Sequence, residues 1–100
     1  MWTTTAIVGS GITVGPVKLA VLGIWGEHVT LCINSGGEPL RINGTTRGDG
    51  RVVLRVRHRL WLGDGICLLV VCMKGGGVRL GIDADQKHRI TVQKNVGALV

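Results

Sequence analysis

The side chains able to do covalent or metal chemistry are few, and their spacing does not suit it. His28, His58 and His88 fall in three different local contexts with no H-x-x-H or H-x-C spacing, so they do not read as a metal set. Cys32, Cys67 and Cys72 are odd in number and lack a C-x-x-C pair. Cys67 and Cys72 lie five apart in a strand-like run, a spacing that places their side chains on opposite faces of a sheet. Free buried thiols are the expectation, in a reducing compartment and with no disulfide framework. No serine stands in G-x-S-x-G, Gly9-Ser10-Gly11 lacks the further glycine and helix of a dinucleotide site, and no Gly-Lys-Ser/Thr occurs. Asp83-Ala84-Asp85 reads as a turn or cap rather than a cation site. The sequence therefore predicts no catalysis, no metal and no cofactor.

Charge points elsewhere. The 100 residues carry a net charge of +6. In residues 1–50, Lys18, Arg41 and Arg47 are balanced by Glu27, Glu38 and Asp49. In residues 51–100, nine basic residues meet only Asp64, Asp83 and Asp85, so this half holds the whole excess. A lopsided basic load suits a polyanion, with RNA or DNA ahead of an acidic membrane. No apolar run reaches the roughly 20 residues that span a bilayer, and Met1-Trp2-Thr3-Thr4-Thr5 lacks a positive leader. The expectation is a soluble cytoplasmic chain.

The elements that must present these charges are strands. Seventeen glycines disfavour long helices, and with three Trp, no Tyr and no Phe the core must be Val, Leu and Ile. The chain also repeats. Val17 to Asn34 lies over Ile66 to Asp83 at an offset of 49 without a gap, with Leu19/Leu68, Val21/Val70, Gly26/Gly75, Val29/Val78, Leu31/Leu80 and Ile33/Ile82 identical. The match continues upstream (Ile12–Gly15 over Leu60–Gly63) and downstream (Leu40–Ile42 over Ile90–Val92), drifting by one residue each way. Within each copy, alternating apolar residues on either side of a glycine turn predict a hairpin, Gly23–Gly26 in the first and Gly75–Gly77 in the second. A leading strand is expected near Thr3–Val8 and near Arg51–Arg57, and a closing strand near Pro39–Ile42 and near Arg89–Gln93. The polar run Asn43 to Gly50 joins them, giving copy one at 1–43, a linker at 44–50 and copy two at 51–100. About 45 residues bury too little to fold alone, so the two copies are expected to share one core as a single all-β, pseudo-symmetric domain at 1–100.

The hairpin V-L-G-I-W-G-E-H-V-T-L-C-I-N ending at Asn34 resembles the middle hairpin of the carbon storage regulator family (CsrA/RsmA). Val78-Arg79-Leu80-Gly81-Ile82 resembles that family's V-R-I-G segment more closely still, and Gly15 and Gly63-Asp64 sit at its I-G-D turn. The resemblance covers about 85 residues. It implies two copies intertwined as a single-chain pseudo-dimeric sandwich or barrel, with the outer strands of each crossing to the other's sheet. It further implies RNA held where one copy's first strand lies near the other's last, with a GGA hairpin loop as target. Departures are visible. The family's paired basic residues become Ala6-Ile7 in copy one, its arginine after the last strand falls near Gly44 and near Lys94, and neither copy keeps the C-terminal helix.

The resemblance thus implies two unequal composite sites. One sets Thr3, Thr4 and Thr5 against Lys94. The other sets Arg55 or Arg57 against Arg41 and Asn43, with Lys74 and Lys87 completing the basic candidates. Trp25, in the hairpin turn, either fills a gap beneath it or stacks a base, and Trp61 is expected in the core. The function expected is an RNA-binding translational regulator, monomeric as a pseudo-dimer, that acts by occlusion. The alternatives are a protein-interaction scaffold or antagonist that has lost specific RNA binding, and a basic binder with no sequence choice.

Overall fold

Alternation explains the strands. In Val17–Trp25, the residues Val17, Leu19 and Val21 are buried while Lys18 and Leu22 are exposed, so one face of the strand meets a core and the other meets water. The structure, a computed structural model, describes residues 1–36, 40–42, 45–47, 50–62, 65–84 and 90–93. The elements are β1 (Trp2–Ala6), β2 (Gly11–Val14), β3 (Val17–Trp25), β4 (His28–Asn34), β5 (Leu40–Ile42), β6 (Thr45–Arg47), β7 (Gly50–Arg55), β8 (Arg59–Leu62), β9 (Ile66–Lys74), β10 (Gly77–Ala84) and β11 (Ile90–Gln93). They form two antiparallel sheets, the first in the order β11-β2-β3-β4-β7 and the second in the order β1-β10-β9-β8-β5-β6.

Each sheet mixes both halves of the chain. The hairpin β3–β4 is flanked by β7 and, beyond β2, by β11, both from the second half. The hairpin β9–β10 is flanked by β1 and, beyond β8, by β5, both from the first half. The registers correspond. Thr4 pairs with Leu80 and Ala6 with Val78, as Val52 pairs with Leu31 and Leu54 with Val29. Leu40 pairs with Leu62 and Ile42 with Leu60, as Ile90 pairs with Val14 and Val92 with Ile12. The inner faces meet in one apolar cluster. Leu19, Val21, Leu31 and Ile33 contribute from the first sheet, and Leu68, Val70, Leu80 and Ile82 from the second.

The same irregularity occurs in both hairpins. Leu22 is passed over between Val21 and Gly23, and Val71 between Val70 and Cys72. An extra residue of this kind reverses the facing of everything after it. Cys72 therefore pairs with exposed Arg79, and Cys67 pairs with exposed Asp83, so both thiols lie on the outer face and not on opposite faces. The expectation of three buried thiols is also corrected. All three are free, but Cys32 is exposed and Cys72 half-buried, with only Cys67 buried.

Two further expectations change. The linker is not merely a loop, because Thr45–Arg47 forms β6 against β5. Trp61 is not in the core. Leu60 and Leu62 point inward at 0% and 1% exposure, so Trp61 between them points out and is 41% exposed. Both hairpin turns are also tighter than expected: Gly23 and Ile24 belong to the strand and only Gly26-Glu27 turn the first hairpin, while Gly75-Gly76 turn the second. Gly75 and Gly76 both take positive φ (58° and 80°), as a two-residue turn matched to strand twist requires.

Candidate nucleic-acid interface

Strand β7 ends the first sheet, so one row of its backbone groups has no neighbouring strand in that sheet. Its buried residues Val52 and Leu54 turn Arg51, Val53 and Arg55 outward. Across β4 these three face Cys32, Thr30 and His28 in turn. One strand further, Gly23 pairs with Thr30 and Trp25 with His28. The indole of Trp25 lies over Gly23, where any Cβ would collide with ring carbons, yet it remains 63% exposed. The rim of the first sheet thus joins two arginines, a histidine, a valine and an open indole. Arg51, His28 and Trp25 join Arg55 here only because the pairing aligns them; they are not neighbours in sequence. Arg55 also approaches Glu27 at 3.9 Å, and with both side chains well exposed this pair contributes little.

Arg57 follows in the turn between β7 and β8. Among the described residues it is the non-glycine residue with positive φ, 74°. Its N–H donates to the Val70 carbonyl at 2.6 Å, and the Val70 N–H donates to the His58 carbonyl at 3.1 Å. The turn is closed from inside by the Arg55 N–H donating to His58 Nδ1 at 3.3 Å. These bonds hold Arg57 at the seam between the two sheets, exposed and next to Arg55.

The other candidates lie apart. Thr5 is exposed and pairs with Arg79, while Thr4 pairs with buried Leu80 and is half-buried, so it turns toward the core. Lys74 ends β9 opposite Gly77, and a Cβ on Gly77 would touch Thr5 Cγ2, so Lys74 belongs to the β1 side of the second sheet. Arg41 is exposed on β5, directly across from Trp61. Asn43, Lys87 and Lys94 fall outside the described residues. The structure therefore places Arg55 at the end of the β7 edge with Arg57 in the turn that follows, and Thr5 and Lys74 at another edge.

The two leading strands present opposite chemistry at corresponding places. Where the first half has Thr3, Ile7 and Gly9, the second half has Arg51, Arg55 and Arg57. The β1 side is instead apolar, with Ile7, Val8 and Leu22 each more than two-fifths exposed and held close by the Gly9 N–H donating to the Val21 carbonyl at 2.9 Å.

Elsewhere, the outer face of the first sheet carries a shallow, mostly apolar hollow of about 240 Å³ whose lining includes Ile12, Leu19, Ala20 and Cys32 beside Thr13 and Lys18. Burial pushes the Cys67 thiol pKa up, with Asp83 adding to the rise and Arg59 opposing it. Among the described residues no three His, Cys, Asp or Glu side chains gather as a metal site, and no helix is long and apolar enough to cross a membrane. Compared with protein-family models, with curated proteins and with solved structures, the chain finds no match.

Proposed function

We propose that the protein is an RNA-binding translational regulator of the carbon storage regulator type, with both partners of the intertwined pair supplied by one chain. The observation that carries this reading is the exchange of strands: β1 and β5 complete the sheet of the second hairpin, while β7 and β11 complete that of the first. This is the arrangement that the sequence resemblance implies. The RNA edge is β7 with the turn that follows it, where Arg51, Arg55 and Arg57 neutralise phosphates and release counterions. Unpaired bases of a GGA-type hairpin loop are read by the free backbone groups of the edge and by forked arginine donors. The output is occlusion of a transcript in the cytoplasm, and no bond is made or broken.

Equilibrium binding to a GGA hairpin and to a scrambled hairpin at two salt concentrations tests this. The GGA hairpin should bind more tightly, with affinity falling as salt rises. Equal binding to both would indicate charge without sequence choice, and no binding of either at low salt would end the RNA reading.

The exposed Ile7, Val8 and Leu22 favour a second reading for the β1 side only, a contact with another protein. A surviving RNA site on β7 is compatible with it. Loss of RNA binding altogether would leave the scaffold as the whole function.

A further inference from the structure

We propose that the outer face of the second sheet holds a stacking site for one unpaired nucleotide, formed by Trp61 beside Arg59. The site rests on the RNA reading above and extends it, because it lies on a face of the sheet and not along the β7 edge.

Strand pairing builds the site. Arg41 stands directly opposite Trp61, a placement that separates Cβ atoms by about 5 Å. Arg59 precedes Trp61 by two residues on the same face of β8, about 7 Å along the strand. Both arginines are exposed. An indole open to solvent with the Arg59 guanidinium along its own strand presents a flat apolar surface for a base and a cation for a flanking phosphate. Among the described residues, Asp83 on this face lies beyond Cys67 and is 3.4 Å from the N-terminal ammonium.

The fold itself does not require an aromatic there. At the corresponding places on the first sheet stand Gly11, Thr13 and Thr91, and that face is hollow. A threonine therefore satisfies the same strand position, and the tryptophan with Arg59 is an addition to one half. Their location also fits the RNA edge. The chain passes from Arg55 on β7 to Arg59 on β8 in four residues, a reach of no more than about 14 Å. A strand leaving the β7 edge past Arg57 arrives on this face.

The test compares a GGA hairpin with the same hairpin carrying about five unpaired nucleotides on each side, bound by the wild-type chain, Trp61→Leu and Trp61→Phe. The extension should tighten wild-type binding about tenfold. Trp61→Leu should lose most of that gain, Trp61→Phe should keep most of it, and all three should bind the short hairpin alike. Thermal unfolding of Trp61→Leu should match wild type, as the threonine at the corresponding place leads one to expect. If the extension adds nothing, or if Trp61→Leu binds the extended RNA as tightly as wild type, the stacking site is wrong and the RNA edge stands. If Trp61→Leu instead abolishes self-association while RNA affinity is unchanged, the face belongs to a second copy of the chain. If the wild type binds neither RNA, the edge and the stacking site fall together.

Discussion

Gly9 and Arg57 occupy the same place in the two halves. Both have positive φ, 93° and 74°, and both donate their N–H to a carbonyl at the start of a bulge, Val21 and Val70. The surrounding bonds match as well. Ser10 N–H donates to the Ile7 carbonyl and His58 N–H to the Arg55 carbonyl, each at 3.0 Å. Ser10 Oγ accepts from the Ile7 N–H where His58 Nδ1 accepts from that of Arg55. Glycine tolerates this conformation, but an L side chain there costs about 1–2 kcal/mol. The second half keeps an arginine where the backbone favours glycine, and such retained strain is a mark of a side chain held for function.

Arg57→Gly should therefore stabilise the protein while weakening RNA binding. The relief of strain is partly offset by about 0.5–1 kcal/mol of added chain entropy, leaving a net gain of about 0.5–1 kcal/mol. Urea unfolding reads the gain. The slope of log affinity against log salt should become shallower by about 0.7. Arg57→Ala, which keeps a Cβ in the same conformation, should lose the affinity without the gain. An Arg57→Gly chain no more stable than wild type would remove the case for strain.

The halves should not fold apart. Peptides 1–47 and 50–100 each lack the strands that flank their own hairpin, since β7 and β11 serve the first and β1 and β5 the second. Circular dichroism of either peptide alone should show no cooperative melt. An equimolar mixture should recover one, with a midpoint that rises with concentration. A cooperative melt from one peptide alone would contradict the shared core.

The Cys67 thiol gives a pH signature. Its pKa lies above the ordinary value of 9.0, chiefly because burial disfavours the thiolate. The unfolded chain therefore releases this proton first as pH rises. The stability linked to it is complete below about pH 9 and declines as pH climbs toward the raised folded value. Denaturation at pH 8 and pH 10 should show a smaller loss for Cys67→Ala than for wild type. In the native chain at pH 8, alkylation should reach exposed Cys32 before buried Cys67. Equal pH dependence in the two chains would show that the thiol is not coupled to folding.

The hairpins are legible in the sequence because Val17, Leu19 and Val21 alternate with less buried residues and glycines end the runs. The leading and closing strands are legible from their offsets to these hairpins. The bulges at Leu22 and Val71 are not, because both faces of those strands are apolar around them, and a pattern without contrast cannot show a one-residue slip. For that reason the spacing of Cys67 and Cys72 suggests opposite faces when the fold gives them one. Trp61 is legible in principle, since inward leucines on both sides force it outward. Its hydrophobicity alone points to the core. β6 is three residues within a glycine-rich run, too short for periodicity to register. The candidate site divides in the same way. Arg55 and Arg57 follow from the basic leading strand, whereas Arg51, His28 and Trp25 come together only through the cross-strand register.

Joining both members of the exchange in one polypeptide has a further consequence. Two identical chains assembled this way would dissociate on dilution, and every substitution would alter both edges at once. A tethered pair escapes both constraints. Its assembly holds at any concentration, and the two halves are free to differ, one carrying Arg51 and Arg55 where the other carries Thr3 and Ile7.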